Sequence, residues 1–158
     1  MNRKIIRHVQ YAALPYRRNS NLDLEVLLVT SRETRRWVIP KGWRVQKLAP
    51  HKSAAHEAME EAGLVGRIGK RSIGSYGYRK RLSTGSVIPC QVMVFALEFA
   101  KQLTSWPEKD QRRTKWFKPE AAAKAVKEPE LRTIIRNLNS RLKMRKSTRG
   151  VTAFPGNS

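Results

Sequence analysis

The stretch HEAMEEAGL, residues 56–64, places three glutamates within five residues of a strongly basic chain. It is rich in good helix formers, and Gly63 stands where a helix-ending left-handed residue is expected. Residues at i, i+3 and i+4 share one face of a helix, so the glutamates project side by side: Glu57, Glu60 and Glu61. Because like charges at this spacing repel, the cluster indicates either a solvated polar face or a bound cation.

The composition favours one globular domain with a phosphate-rich partner. The chain has 158 residues, and its 33 Lys and Arg against 12 Asp and Glu give a formal net charge of +21. Charge alone does not say whether the phosphate belongs to nucleic acid, a nucleotide, an inositol phosphate or a membrane surface. The single cysteine, Cys90, excludes an internal disulfide and a multi-cysteine metal site, and fits a reducing compartment.

The hydrophobic pattern alternates between strands and helices. Segments rich in β-formers and bounded by turn residues predict strands at 5–14, 24–30, 37–40, 68–81, 87–99 and 115–117. A loop begins at Lys41. Helical spacing and a proline at the first helical position predict helices at 53–63, 119–126 and 129–143.

The two ends of the chain carry weaker signals. The basic start resembles a signal peptide, but His8 and Gln10 interrupt its short apolar part, and no apolar run reaches the roughly 18 residues of a membrane helix. These observations favour a cytoplasmic protein with no membrane partner. After Met144 the sequence has no period and several helix breakers, which predicts a domain at 1–144 and a flexible tail at 145–158.

A divalent cation would turn the repulsion of the glutamate cluster into attraction. Hard ions such as Mg²⁺ take oxygen ligands and leave coordination positions for substrate phosphates and water. Such an ion polarises phosphoryl oxygens and lowers the pKa of an attacking water. Hydrolysis of a phosphoanhydride is therefore the chemistry that the acidic cluster and the basic remainder favour together.

These residues resemble the Nudix hydrolases, whose motif is G-x5-E-x7-R-E-U-x-E-E-x-G-U with U aliphatic. The matching positions stand at that spacing: Gly42, Glu57, Ala58, Glu60, Glu61, Gly63 and Leu64. The resemblance implies an α/β/α sandwich around a mixed β-sheet, with the motif on a loop–helix–loop. It also implies Mg²⁺ or Mn²⁺ bound by Glu57, Glu60 and Glu61.

Two motif positions differ from the family. Leu48 replaces the first glutamate and contributes no carboxylate, and His56 replaces the arginine. In the family that arginine holds the catalytic carboxylates by charge-assisted hydrogen bonds. His56 would do this only in part, because its charge depends on pH. These departures imply either a weaker activity or a general base from a later part of the chain. The candidates are Glu98, Glu108 and Asp110, with Glu108 preferred.

Within the family, WVIPKGW, EAMEEAGLVG and WP…KWF look most like the diphosphoinositol polyphosphate and diadenosine polyphosphate hydrolases. In such a fold several cations border the motif helix and would grip a polyphosphate, the alternative being surface charge. They are Arg17, Arg18, Arg36, Lys41, Arg44, Arg79, Lys80 and Arg81. Trp43 and Tyr78 would either stack on a base or pack under a loop.

Two other functions are compatible with the same sequence. One keeps the fold and changes the substrate to a nucleoside diphosphate derivative or the 5′ end of an RNA. The other is a catalytically weak Nudix-like module that binds nucleic acid through its positive charge, as Leu48 and His56 allow. Neither function requires an obligate protein partner.

Overall fold

The computed structural model describes the backbone of residues 8–152 and the side chains of residues 8–144. Within that range the chain forms eight strands: β1 His8–Arg18, β2 Leu24–Thr30, β3 Trp37–Val38, β4 Lys41–Gly42, β5 Leu64–Ile68, β6 Gly74–Arg81, β7 Val87–Gln102 and β8 Thr114–Phe117. It also forms three α-helices: α1 Pro50–Ala62, α2 Pro119–Ala125 and α3 Pro129–Thr152. A short 3₁₀ helix at Lys109–Gln111 precedes β8.

The strands make one mixed sheet in the order β3-β2-β1-β7-β5, with β4 on β1, β6 on β7 and β8 on β2. The two central strands, β1 and β7, run parallel, and the other pairs are antiparallel. A parallel pair needs a long crossover connection, and α1 lies within it. The predicted mixed α/β fold is confirmed.

Each face of the sheet buries a separate hydrophobic cluster. Alternation along β1 sends Ala12 and Leu14 into the cluster with α2 and α3, whereas Ala13 faces α1. On α1, the residues that meet the sheet are small and fully buried: Ala54, Ala58 and Ala62. Their short side chains let the helix lie close to the sheet, which brings its glutamates near strands β1 and β4.

Some predicted boundaries were wrong. Residues 68–81 are not one strand, because β5 and β6 pair with successive parts of β7 and the chain turns between them at residues 69–73. Lys41 and Gly42 form a short strand on β1 instead of starting a loop. Helix α3 continues past Met144 to Thr152, since lysine and arginine sustain a helix without an apolar period. The flexibility predicted for 145–158 stays a prediction, and 1–7 and 153–158 lie outside the described residues.

The end of α1 confirms the predicted glycine cap. Gly63 has φ of 68°, and a Cβ added there would lie 2.2 Å from Cε3 of Trp106.

Helix α3 is the longest helix in the described range, yet no helix within residues 8–152 is long and apolar enough to cross a bilayer.

The Gly63→Ala variant is expected to be destabilised more than the Gly85→Ala variant. Both glycines have positive φ, so each substitution carries the left-handed backbone cost of about 1–2 kcal/mol. Only at Gly63 does the new methyl also meet the Trp106 ring, whereas the described part of the chain places nothing within 4 Å of a Cβ at Gly85. Thermal unfolding followed by circular dichroism measures the difference, and equal losses of Tm would contradict the role of the ring contact.

Candidate active site

Helix α1 places its three glutamates at different depths. Because residues advance by about 100° around a helix, Glu61 falls beside the buried Ala54 and Ala58, Glu57 at the flank, and Glu60 further out. Glu61 is accordingly 5% exposed, Glu57 is half-buried, and the Glu60 side chain is 30% exposed. The predicted common face is therefore a graded arc, with Glu61 nearest the sheet.

Gly42 allows Glu57 to approach the sheet. In β4, Gly42 pairs with Tyr11 of β1 on the side that faces α1, and a Cβ at Gly42 would lie 2.3 Å from Cδ of Glu57. Any side chain there would displace the carboxylate. The first glycine and the first helical glutamate of the sequence motif are thus in direct contact.

Arg112, which sequence reasoning missed, lies at the centre of the site. Its side chain is 10% exposed and contacts two carboxylates: Nη2 is 3.3 Å from Oε1 of Glu61, and Nη2 and Nε donate to Oε1 of Glu108 at 3.0 and 3.1 Å. The neighbouring Arg113 is chemically identical, so the sequence has no signal that selects Arg112. The selection comes from the pairing of β8 with β2, which sets Arg112 beside Thr30.

The preferred base candidate, Glu108, joins the same cluster. Its backbone N–H donates to the carbonyl of Glu60 at 3.0 Å, which anchors the loop on α1. The other two candidates, Glu98 on β7 and Asp110 in the 3₁₀ helix, are exposed. Of the three predicted acids, Glu108 is the one whose charge reaches Glu57 and Glu61.

Burial leaves the carboxylates of the site poorly compensated. The pKa of Glu61 is raised to about 7, chiefly by burial; Arg112 and Lys41 oppose the shift, and Glu57 and Glu108 add to it. Burial also raises the pKa of Glu57, with the charge of His56 opposing. In addition, Oε2 of Glu61 is buried and finds no hydrogen-bond partner within the described range. A buried anionic oxygen without a donor is a position suited to a cation.

The residues present fit a hard divalent cation, although they are not gathered as a finished site. Across the side chains of residues 8–144, no group of three His, Cys, Asp or Glu is close enough to hold a metal ion as it stands. Glu60 instead lies near His56, with 3.4 Å between Oε1 and Nε2. Glu57 and Glu61, whose carboxylates interact electrostatically, are the candidate ligands. Leu48 lines an apolar groove beside α1 with Met59 and Leu64.

Of the predicted cations, Lys41 interacts with Glu61, and Arg36 and Lys80 interact with Lys41. Lys41 is half-buried with its Nζ 5.0 Å from the centre of the Tyr78 ring. Burial lowers its pKa to about 8, Glu61 opposes this, and the charges of Arg36 and Lys80 contribute to the lowering. Arg36 is itself paired with the buried Glu128, with Nη1 2.9 Å from Oε1.

The other predicted cations are engaged elsewhere or exposed. Arg17 pairs with Glu25 at 2.9 Å and lies 4.0 Å above the Trp116 ring. Arg18, the next residue of β1, points to the opposite face and donates to Oδ1 of Asn139 at 3.0 Å. Three further cations are exposed, and the first of them donates to the Leu48 carbonyl: Arg44, Arg79 and Arg81.

The two aromatic candidates differ in their surroundings. The hydroxyl of Tyr78 donates to Oε1 of Gln10, which is buried in β1, so the half-buried Tyr78 packs against the core beneath Lys41. Trp43 is 44% exposed, and its ring meets the edge of His8 at 6.3 Å between centroids. Of the two, Trp43 has the open face that stacking on a base requires.

The stability of the metal-free protein is expected to depend on pH through Glu61. The folded state keeps the Glu61 proton up to a pKa of about 7, whereas an ordinary carboxyl releases it near 4.5. Between these values the folded state holds an extra proton, so this contribution to stability is complete below pH 4.5 and is lost as the pH rises through 7. In chelator, the Tm of Glu61→Gln should therefore rise relative to wild type between pH 5 and 8. A difference that stays constant across this range would contradict the shift.

Comparison of the sequence with known proteins finds Nudix hydrolases among its relatives. No family model matches the chain. It is 32% identical over 99 residues to Nudix hydrolase 13, mitochondrial, of Arabidopsis thaliana, covering 60% of this chain and 49% of that protein. It is 32% identical over 110 residues to diphosphoinositol polyphosphate phosphohydrolase 3-alpha of Mus musculus, covering 68% and 63%. The chain thus spans about half the length of the first relative, 49%.

A solved structure has the same fold. The binary complex of a C. elegans Ap4A hydrolase superposes with a TM-score of 0.64 and 19% identity, covering 86% of this chain and 98% of that one. Gly42 and Glu57, which the fold brings into contact, match the Nudix motif in sequence, as do Glu60 and Glu61. The motif residues, the curated relatives and the fold together support the Nudix hydrolase family for this chain.

Proposed function

We propose that this protein is a Mg²⁺-dependent hydrolase of a phosphoanhydride in a polyphosphorylated small molecule. The observation that carries the proposal is the buried Glu61, whose Oε2 has no hydrogen-bond partner among the described residues although Arg112 contacts its other oxygen. A purely structural ion pair would leave no anionic oxygen unsatisfied. Its position beside Glu57 and Lys41 suits a cation on one side and substrate phosphate on the other.

The metal would be held by Glu57 and Glu61, with Glu60 completing the set after it separates from His56. Mg²⁺ or Mn²⁺ bound there would supply polarisation of a phosphoryl oxygen and a lowered pKa for a water. Glu108 is the proposed acceptor of the proton from the attacking water. Both hydrogen bonds from Arg112 go to its Oε1, so Oε2 is the atom proposed to take that proton.

The substrate would be bound by Lys41, which interacts with Glu61, and by the two cations that interact with Lys41. The charges of Arg36 and Lys80 act on Lys41, and repulsion between like charges is relieved when they bind an anion. The compound would carry several adjacent phosphates, because a single phosphate uses only part of such a cluster. We therefore propose a diadenosine polyphosphate or a diphosphoinositol polyphosphate, the compounds named for the nematode and mouse relatives.

A substrate panel with and without metal tests the proposal. The full chain is incubated with diadenosine polyphosphates, diphosphoinositol polyphosphates, nucleoside triphosphates and 5′-triphosphorylated RNA, in Mg²⁺, in Mn²⁺ or in chelator. Release of phosphate products from the first two classes, abolished by chelator, is the expected result. A preference for RNA or simple nucleotides would keep the metal chemistry and overturn the substrate. Hydrolysis of all of them in chelator would overturn the mechanism.

The second candidate function, binding of nucleic acid by a weak enzyme, has the formal charge of +21 in its favour. Such binding releases counterions and falls steeply with salt, with a slope of about −0.7 to −0.9 per neutralised phosphate. Titration of a fluorescent RNA at several salt concentrations distinguishes it from anhydride hydrolysis.

The cytoplasm is the compartment that we propose, because the one cysteine, Cys90, is a buried free thiol. The plant relative is named mitochondrial, so fractionation of cells that express the chain is the direct test.

A further inference from the structure

The arginine that contacts the site carboxylates comes from outside the motif helix. The helix has His56 at the position where the motif has arginine, and His56 lies near the half-exposed Glu60. Arg112 stands just before β8, more than fifty residues later in the chain, and reaches Glu61 and Glu108. The motif helix has no arginine of its own, but Arg112 places a guanidinium beside the carboxylates of the site.

The Arg112 guanidinium is held rigidly. Nη1 donates to the carbonyl of Thr30 at the end of β2, at 3.1 Å. Nε and Nη2 both donate to Oε1 of Glu108, and Nη2 also contacts Oε1 of Glu61. A planar fork bonded on three sides has little freedom to turn, unlike a lysine ammonium in the same place. Its position is therefore set by the sheet and not by the carboxylates alone.

The contact with Glu61 is one-sided. Arg112 meets Oε1, whereas Oε2 is buried and, within the part of the chain that the structure describes, has no donor. From this geometry we propose that Arg112 is a positioning residue that takes over the task of the motif arginine. It fixes the Glu61 and Glu108 side chains so that Oε2 of Glu61 is presented to the cation. The reaction in this inference rests on the proposed function, but the orientation of Glu61 does not.

A different reading gives Arg112 the role of a counter-ion that the metal displaces. The two readings predict opposite changes in metal affinity. If Arg112 orients the ligand, its loss weakens metal binding, and loss of such a supporting contact typically costs about 10- to 100-fold in affinity. If Arg112 only neutralises charge, its loss removes a repulsion and metal binds more tightly.

The experiment measures Mn²⁺ binding by the electron paramagnetic resonance signal of the free ion, without substrate. The variants are Arg112→Ala and Arg112→Lys, with Arg113→Ala as the control, because Arg113 is adjacent and exposed. We expect the dissociation constant to rise about 10-fold or more in both Arg112 variants and to stay within about threefold of wild type in the control. Lysine keeps the positive charge but lacks the planar guanidinium with its several donors. Wild-type Mn²⁺ affinity in Arg112→Lys would therefore overturn the inference, and so would tighter Mn²⁺ binding by Arg112→Ala.

A second-site variant separates positioning from a general loss of structure. In the Arg112→Ala background, His56→Arg restores a guanidinium on the motif helix and is expected to recover at least about 10-fold of the lost Mn²⁺ affinity. In the hydrolysis reaction, Arg112→Ala should lower kcat and the added His56→Arg should restore it, with little change in KM in either variant. Failure of recovery together with an unchanged near-ultraviolet circular dichroism spectrum would contradict the inference. Should the wild type hydrolyse no substrate, the proposed function fails while the Mn²⁺ comparison still decides the role of Arg112. If Arg112→Ala does not fold, Arg112→Lys alone carries the test.

Discussion

Glu61→Gln is expected to lower kcat by about 10²-fold or more, while KM changes within about threefold. The amide keeps the size and shape of the side chain, so the packing against the buried alanines of α1 survives. The substitution removes the negative charge of Glu61. This carboxylate is 5% exposed, and its Oε2 has no hydrogen-bond partner among the described residues. A neutral amide is a much weaker ligand for a hard cation, and a cation that is poorly held stabilises the transition state less even when it is bound.

Steady-state kinetics with the preferred substrate, over Mg²⁺ concentrations that extend to saturation, measures this effect. Glu33→Gln is the matched control, because Glu33 is an exposed loop glutamate and its substitution changes the net charge by the same amount. Equal turnover by wild type and Glu61→Gln would defeat the metal-assisted mechanism. A loss that higher Mg²⁺ restores would instead place the whole effect on metal affinity and leave the mechanism intact.

Gly42→Ala is expected to lower activity by a similar factor, about 10²-fold, with little effect on stability. Its Cβ would lie 2.3 Å from Cδ and 2.4 Å from Oε1 of Glu57, so the carboxylate must move away. The described backbone of Gly42 has no positive φ, and alanine therefore fits β4 without strain. Displacement of a flexible side chain costs far less free energy than disruption of the core, and the expected change in Tm is small.

Gly77→Ala provides the control for this prediction. Gly77 is also a strand glycine, and the nearest atom to a Cβ there is 3.7 Å away, at ordinary van der Waals distance. Metal-dependent activity and Tm are measured for both variants. If Gly42→Ala kept wild-type activity, Glu57 would be dispensable in its present position, and the assignment of Glu57 as a ligand would be withdrawn.

The local features of this protein were determined by its sequence. The motif helix and its glycine end were predictable, because helix formers, a terminal glycine and the spacing of the glutamates all act within one or two turns. The family resemblance then led to the mixed sheet, whereas the contact of Gly42 with Glu57 emerged only from the structure. Strand boundaries were less accurate, since β5 and β6 are separated by how each pairs with β7 and not by their own residues.

The composition of the site depended on tertiary structure. Arg17 and Arg18 are neighbours in sequence, yet strand alternation sends them to opposite faces, one onto Trp116 and the other to Asn139 of α3. Arg112 and Arg113 are equally plausible in sequence, and only the pairing of β8 with β2 brings Arg112 to Glu61. A side chain's chemistry is local, but its position depends on strand register between segments far apart in the chain. The sequence therefore determined which carboxylates are present, and the fold decided which cations meet them.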